Sequence, residues 1–223
     1  MNILYPLAGL ALLTFPAFSA ESKIPVGSLT VDKNLVQKDE KPRLTWNIIH
    51  PISELDEVIS VDENDKITVL KDVKVDVYMV GTGVTSNSGR TQHTTKSHIG
   101  LGQGWEHVFT GKGDDVNPLK VLISRELEAG TKITFKANFK NDRENSSDEV
   151  ILLRDGDSAP SGLGDNGGAS LESYLKSYVE DGKLSLGTLD VIYCAELTHT
   201  DKNSSGYDLQ DSIVLLRFSE VTD

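Results

Sequence analysis

Apolar and polar positions alternate through most of the first two thirds of the chain. In residues 43–49 (RLTWNII), Leu44, Trp46 and Ile48 fall on one face of an extended segment, and Val73, Val75, Val77 and Met79 do the same in residues 73–80. A period of two is what a strand with one buried face requires. Residues 27–31, 58–61 and 67–70 read as further short strands, the last two joined by the polar turn 62–66 (DENDK). Strands this short, with turn residues roughly every eight to twelve positions, predict a small β-sandwich domain over residues 24–81.

Residues 81–97 are dense in Gly, Ser, Thr and Asn and predict a long exposed loop, a candidate for partner contact. Strands are then expected at 98–101, 105–110, 119–125 and 131–139, separated by Gly102 and Gly104, by Lys112-Gly113-Asp114-Asp115 and by Ala129-Gly130. Both Trp46 and Trp105 occupy positions that read as core. Residues 149–153 form another strand, and a Gly/Ser/Pro/Asp connector follows at 158–168. Leu171, Tyr174, Leu175 and Tyr178 make the one good helical stripe after the N-terminal segment, which predicts a helix over 169–180 that Asp181-Gly182 ends. Two apolar strands, 189–197 and 212–218, close the chain around a polar loop. The expected fold is therefore mainly β: antiparallel β-sandwich domains with one helix in the C-terminal third, the second domain covering 82–223 and ending in an acidic hairpin.

Residues 1–20 carry no charged side chain, and residues 7–15 (LAGLALLTF) form an apolar run too short to span a bilayer. Ala17 and Ser19 are placed for cleavage after Ser19 or Ala20, so residues 1–20 read as a signal peptide. The expectation is an exported chain: secreted, periplasmic or at the cell surface, with no transmembrane segment in its mature part. Cys194 is the single cysteine, so no internal disulfide is available, and its apolar surroundings make it a small buried hydrophobe. The net charge of −12 repels phosphate backbones and argues against nucleic acid as a partner. Cations are the natural counterpart.

The stretch most informative for chemistry is the loop from Glu196 to Asp211 (ELTHTDKNSSGYDLQD), which concentrates oxygen ligands between two apolar strands. Calcium takes six to eight hard oxygen ligands in flexible geometry. Asp208 and Asp211, three apart, can fold around one ion; Glu196 can close the site across the hairpin, and Asp201 and Asn203 can add further ligands. Glu196 together with residues 206–214 (GYDLQDSIV) resembles a domain of unknown function in secreted bacterial proteins. That domain ends in a Glu-Asp pair, a Gly/Asp-rich loop and an Asp-aromatic-Asn-Asp-Val-Val run entering the last strand. The resemblance implies calcium binding at Glu196, Asp208 and Asp211. Leu197 stands where the second acid of the pair would be, and Leu209-Gln210 replace the aromatic-Asn step.

Other constellations carry less. Asp155, Asp157 and Asp165, and separately Asp62 to Asp65, read as ordinary turns that lack the spacing of an EF-hand. A hairpin could bring His98 near His107, without the Cys or fixed His-x-His partner a transition metal wants. No nucleophile elbow, Ser-x-x-Lys or dinucleotide fingerprint is present. The reading is a non-enzymatic surface, matrix or interaction module supported by calcium, with an unidentified protein or glycan partner. Its alternative is a carbohydrate-binding or carbohydrate-acting protein.

Overall fold

In the computed structural model, the described residues are 26–31, 44–49, 54–86, 90–139, 143–144, 150–160, 171–204 and 206–221. The expected signal peptide lies outside them. The strands are β1 (Val26–Val31), β2 (Leu44–Ile49), β3 (Ile59–Val61), β4 (Ile67–Val69), β5 (Val73–Gly81), β6 (Thr85–Ser86), β7 (Thr91–Gln92), β8 (Thr95–Leu101) and β9 (Glu106–Gly111). Then come β10 (Val121–Leu127), β11 (Lys132–Phe139), β12 (Arg143–Glu144), β13 (Val150–Arg154), β14 (Val179–Glu180), β15 (Lys183–Leu184), β16 (Asp190–Ala195) and β17 (Ser212–Glu220). All pairings are antiparallel.

The chain divides into two units, residues 1–52 and 53–223. In the first, β1 pairs with β2 as a two-stranded hairpin. The second unit holds a five-stranded sheet in the order β10-β5-β17-β16-β13 and a six-stranded sheet in which β3-β4-β11-β8-β9 run side by side and β12 pairs with β11. The boundary expected at residue 81 therefore runs through a sheet, because β5 sits between β10 and β17. Local alternation cannot reveal this, since β17 enters the chain long after β5.

One apolar core joins the inner faces of the two sheets: Val75, Val77 and Met79 of β5 and Val214 and Leu216 of β17 share it with Ile99 of β8 and Ile133 of β11. The Phe135 and Tyr193 rings stack across it, with centroids 5.6 Å apart. A second apolar cluster covers the outer face of the five-stranded sheet. There Ile192, Cys194, Ile213 and Leu215 meet Leu171, Leu175, Tyr207 and Leu209. The interior strand β16 is thus buried on both faces, which is why its sequence is apolar without alternation.

The helix is shorter than its sequence stripe. α1 spans Leu171–Leu175, a 3-10 turn covers Lys176–Tyr178, and the chain goes extended at Val179 to pair with β15. The stretch read as a loop at 81–97 is also more ordered than its composition implies. Residues 81–84 are buried, β6 pairs with β7, and β8 already begins at Thr95. Gly81 is required by close approach rather than by looseness: a Cβ there would strike the Tyr174 ring.

Candidate metal centre

β16 and β17 run in register up to the pair Ala195–Ser212, so the next residues out, Glu196 and Asp211, face each other where the strands open into the loop. Asp208 is folded back onto them. Ligand atoms of Glu196, Asp208 and Asp211 all lie within 4.8 Å of one another, and all three residues are buried. The structure thus assembles the three acids that the sequence nominates.

Backbone amides hold this arrangement. Glu196 Oε1 accepts from Thr198 N–H (2.8 Å), Thr198 Oγ1–H (2.7 Å) and His199 N–H (2.9 Å). Its Oε2 accepts from Asp208 N–H (3.0 Å) and Leu209 N–H (3.2 Å). One carboxylate therefore stitches both ends of the loop together. Asp211 Oδ2 accepts from Leu197 N–H at 2.7 Å. Gln210 donates its Nε2–H to Asp208 Oδ2 at 2.6 Å, which leaves its own Oε1 buried with no hydrogen-bond partner. Leu209 takes φ of +55°, a left-handed conformation that is costly for a side chain of this type and is imposed here by the turn.

Leu197 is fully buried in the intersheet core, and Leu209 belongs to the cluster under α1. An acid at 197 would have to enter apolar packing.

Neighbouring segments wall the site. Thr82 donates its hydroxyl to the Asp211 carbonyl at 2.7 Å and lies 2.7 Å from Thr95 Oγ1. Ser97 and Ser212 hydroxyls meet at 2.7 Å across the same sheet-to-sheet seam. Gly83 lies against Gln210, and Tyr174 donates to the Thr82 carbonyl at 3.1 Å. The polar ladder fixes the two sheets relative to one another at the end where the acids sit.

The electrostatics follow from three carboxyl groups in one dry place. Burial and then the Glu196 charge push Asp208 up to about 7, and the same two causes raise Asp211 well above the ordinary carboxylate range. Burial also pushes Glu196 upward, but the hydrogen bonds from Asp208, Thr198 and His199 outweigh it and hold this group below its ordinary value. Among the described residues no lysine or arginine pairs with the three acids; the nearest basic group is His199, whose Nδ1 is 3.7 Å from Glu196 Oε1. Protons or a cation must neutralise the cluster.

The remaining nominated residues fall elsewhere. Asp201 and Asn203 do not join the cluster: the Asn203 backbone and side-chain amides both donate to Asp201 Oδ1, at 2.9 and 3.2 Å, closing a local turn on the exposed side of the loop. That bond forms between near neighbours at little entropic cost, and it wins over reaching inward. Asp155 caps Leu186 N–H and Asp157 caps Arg154 N–H, while Asp165 lies outside the described residues. Asp62 accepts from the Asn64 and Lys66 amides, a turn that lowers its pKa. His98 and His107 do meet across β8 and β9, with ring centroids 5.7 Å apart.

Trp105 corrects its reading as a core residue: it is 47% exposed. Left-handed turns at Gly102 and Gly104 and a register shift between Ser97 and His98 swing it outward. Cys194 is fully buried, and burial pushes its thiol pKa upward. No protein-family model and no curated protein sequence matches this chain, so its function is read from the site itself.

Proposed function

We propose that this chain is an exported, non-enzymatic β-sandwich module of the cell surface, matrix or periplasm, and that a calcium ion at Glu196, Asp208 and Asp211 locks its last hairpin. The observation that carries the reading is three buried carboxylates within 4.8 Å, with no lysine or arginine among their described partners. A divalent ion offsets their mutual repulsion and joins β16, β17 and the loop at one point. The donor set favours a hard cation: it is all oxygen, and the His199 imidazole is engaged by Thr198 Oγ1 at 2.8 Å. Gln210 Oε1, buried and partnerless, is a neutral oxygen of the kind that completes calcium coordination together with water.

The role fits a structural ion better than a catalytic one. Glu196 spends both of its oxygens on backbone amides, and all three acids are buried. The test is thermal unfolding of the mature chain after exhaustive chelation, with and without calcium, and with magnesium as the comparison. At 100-fold excess over Kd a single site adds about 2.7 kcal/mol, and for a domain of this size each kcal/mol raises Tm by about 2–4 °C. No shift at millimolar calcium refutes the site.

A further inference from the structure

Residues 207–209 divide their side chains between two jobs. Tyr207 and Leu209 are buried in the apolar cluster on the outer face of the five-stranded sheet, together with Leu171 and Leu175 of α1. Asp208, between them, joins Glu196 and Asp211 in the acidic cluster. One short stretch of chain is thus both cover and ligand. Its amides are fastened to the acids themselves: Asp208 and Leu209 N–H donate to Glu196 Oε2, and the Gln210 N–H and Nε2–H donate to Asp208. α1 belongs to the same assembly, because Tyr174 donates to the Thr82 carbonyl and the Thr82 hydroxyl donates to the Asp211 carbonyl.

Cys194 lies in this outer cluster and is fully buried. Its strand β16 sits between β13 and β17, and the flanking residues Tyr193 and Ala195 belong to the intersheet core. A reagent reaches the thiol only when the outer cover moves or when the whole unit unfolds. The cover is the weaker of the two barriers. It rests on a five-residue helix and the two-residue strands β14 and β15, whereas the inner core lies between two full sheets. Leu209 also holds a costly left-handed conformation that opening would release. Local opening draws on elements of this kind.

We infer that an ion held by Glu196, Asp208 and Asp211 latches this cover, so that calcium occupancy governs access to the apolar outer face of the five-stranded sheet. The inference rests on the calcium reading of the site and adds a regulatory role to it. Lifting Tyr207 and Leu209 off the sheet carries Asp208 away from Glu196 and Asp211, which destroys the site. An ion that binds only the closed form lowers the opening equilibrium by the factor 1 + [Ca]/Kd. The coupling is reciprocal: whatever binds the uncovered face weakens calcium binding by the same factor.

The experiment follows Cys194 of the full mature chain with a thiol reagent, in chelator and in calcium, across a urea series below the unfolding transition. Thermal melts of the same samples run beside it. In chelator the thiol should react faster than global unfolding allows, with a much shallower urea dependence than the stability of the unit, the signature of local opening. Calcium at about 100-fold excess over its Kd should slow the reaction by about 100-fold, down to the floor set by global unfolding. Asp208→Asn should react at a rate that calcium does not change. Leu209→Ala trims the cover and leaves the three acids in place. It should react faster than the parent and still be slowed by calcium, which keeps the test decisive if Asp208→Asn does not fold. If calcium raises Tm while labelling in chelator shows the full urea dependence of global unfolding, the ion site stands and the latch is overturned. The latch also falls if labelling is local and calcium does not slow it, since the cover then lifts without moving Asp208. If calcium changes neither Tm nor labelling, the site itself fails and the latch with it.

Discussion

The Leu197 backbone N–H donates to Asp211 Oδ2 at 2.7 Å, bridging the two ends of a loop fourteen residues apart in sequence. The same Leu197 buries its side chain in the intersheet core, so the carboxylate is tied to the most rigid part of the molecule. Glu196, one residue earlier, ties the rest of the loop to that anchor through the Asp208 and Leu209 amides. The acids thus act first as acceptors for a loop whose amides would otherwise be buried unpaired. Their charge is the cost of that service.

That cost makes stability depend on pH in a defined direction. In metal-free protein, Asp208 titrates at about 7 and Asp211 is raised as well, against about 3.9 for an unfolded aspartate. The folded state therefore holds protons that the unfolded chain has released, and this contribution is lost as pH rises through about 7. Glu196 has the opposite sign: its contribution is present above its ordinary value and is lost in more acidic solution. Chelated protein should lose melting temperature between pH 5 and pH 8. The increment from calcium should grow over the same range, because the ion requires ionised carboxylates. A flat chelated profile between pH 5 and pH 8 would contradict both pKa assignments.

Asp208→Asn separates charge from hydrogen bonding. Asparagine keeps an oxygen to accept from Gln210 but removes the charge facing Glu196. In chelator at pH 8 the variant should be more stable than the parent by about 2 kcal/mol, because it removes a buried charge together with its repulsion by Glu196. At pH 5 the difference should nearly vanish, and calcium should no longer raise Tm. Denaturant melts at the two pH values, each with and without calcium, supply the comparison. A variant less stable at pH 8 in chelator would show that repulsion is not what the charge contributes.

How much of this was legible can be argued from particular residues. Val73 to Met79 and Ile133 to Ala137 alternate cleanly because each strand has one face on the shared core, and both were readable as strands. The convergence of Glu196, Asp208 and Asp211 was readable as well, since two apolar strands flanking a loop bring its ends together. The partnership of Gly81 with Ile213 was not readable, because nothing local to either residue encodes the other. Gly81 and Gly83 looked like loop residues when they are glycine for close packing against Tyr174 and Gln210. Trp105 was misread because alternation presumes an unbroken register, and a shift at Ser97–His98 with left-handed glycines breaks it.

Gly81→Ala tests the close packing directly. The added methyl meets the Tyr174 ring, whose hydroxyl is held by the Thr82 carbonyl, so the ring cannot swing away without losing a bond. Overpacking of this kind costs about 1–3 kcal/mol. Tyr174→Leu alone should cost a similar amount through the lost bond and packing. If the contact is what Gly81 serves, the double variant should be less destabilised than the sum of the singles by about 1 kcal/mol, as contacting residues show in a double-mutant cycle. Simple additivity would place the strain elsewhere.

Asp190 and Arg217 supply a last test, on the sheet rather than the loop. They face each other across β16 and β17, with Arg217 Nε 3.0 Å from Asp190 Oδ1 and Nη2 2.8 Å from Oδ2, a two-point contact that raises the arginine's pKa. Asp190 is buried while Arg217 is half exposed and lies over the Tyr78 ring. Removing the arginine strands a buried carboxylate, whereas removing the acid only frees a solvated cation, so the two changes are not equivalent. Arg217→Met should cost about 2 kcal/mol, discounted from a fully buried pair because the guanidinium is wet. Asp190→Asn should cost about 1 kcal/mol, since the amide oxygen still accepts one N–H. Arg217→Lys should fall between parent and Arg217→Met, because an ammonium keeps the charge and loses the fork. The ordering of the three in urea melts is the measurement, and an Asp190→Asn variant weaker than Arg217→Met would reverse the assignment of which partner is stranded.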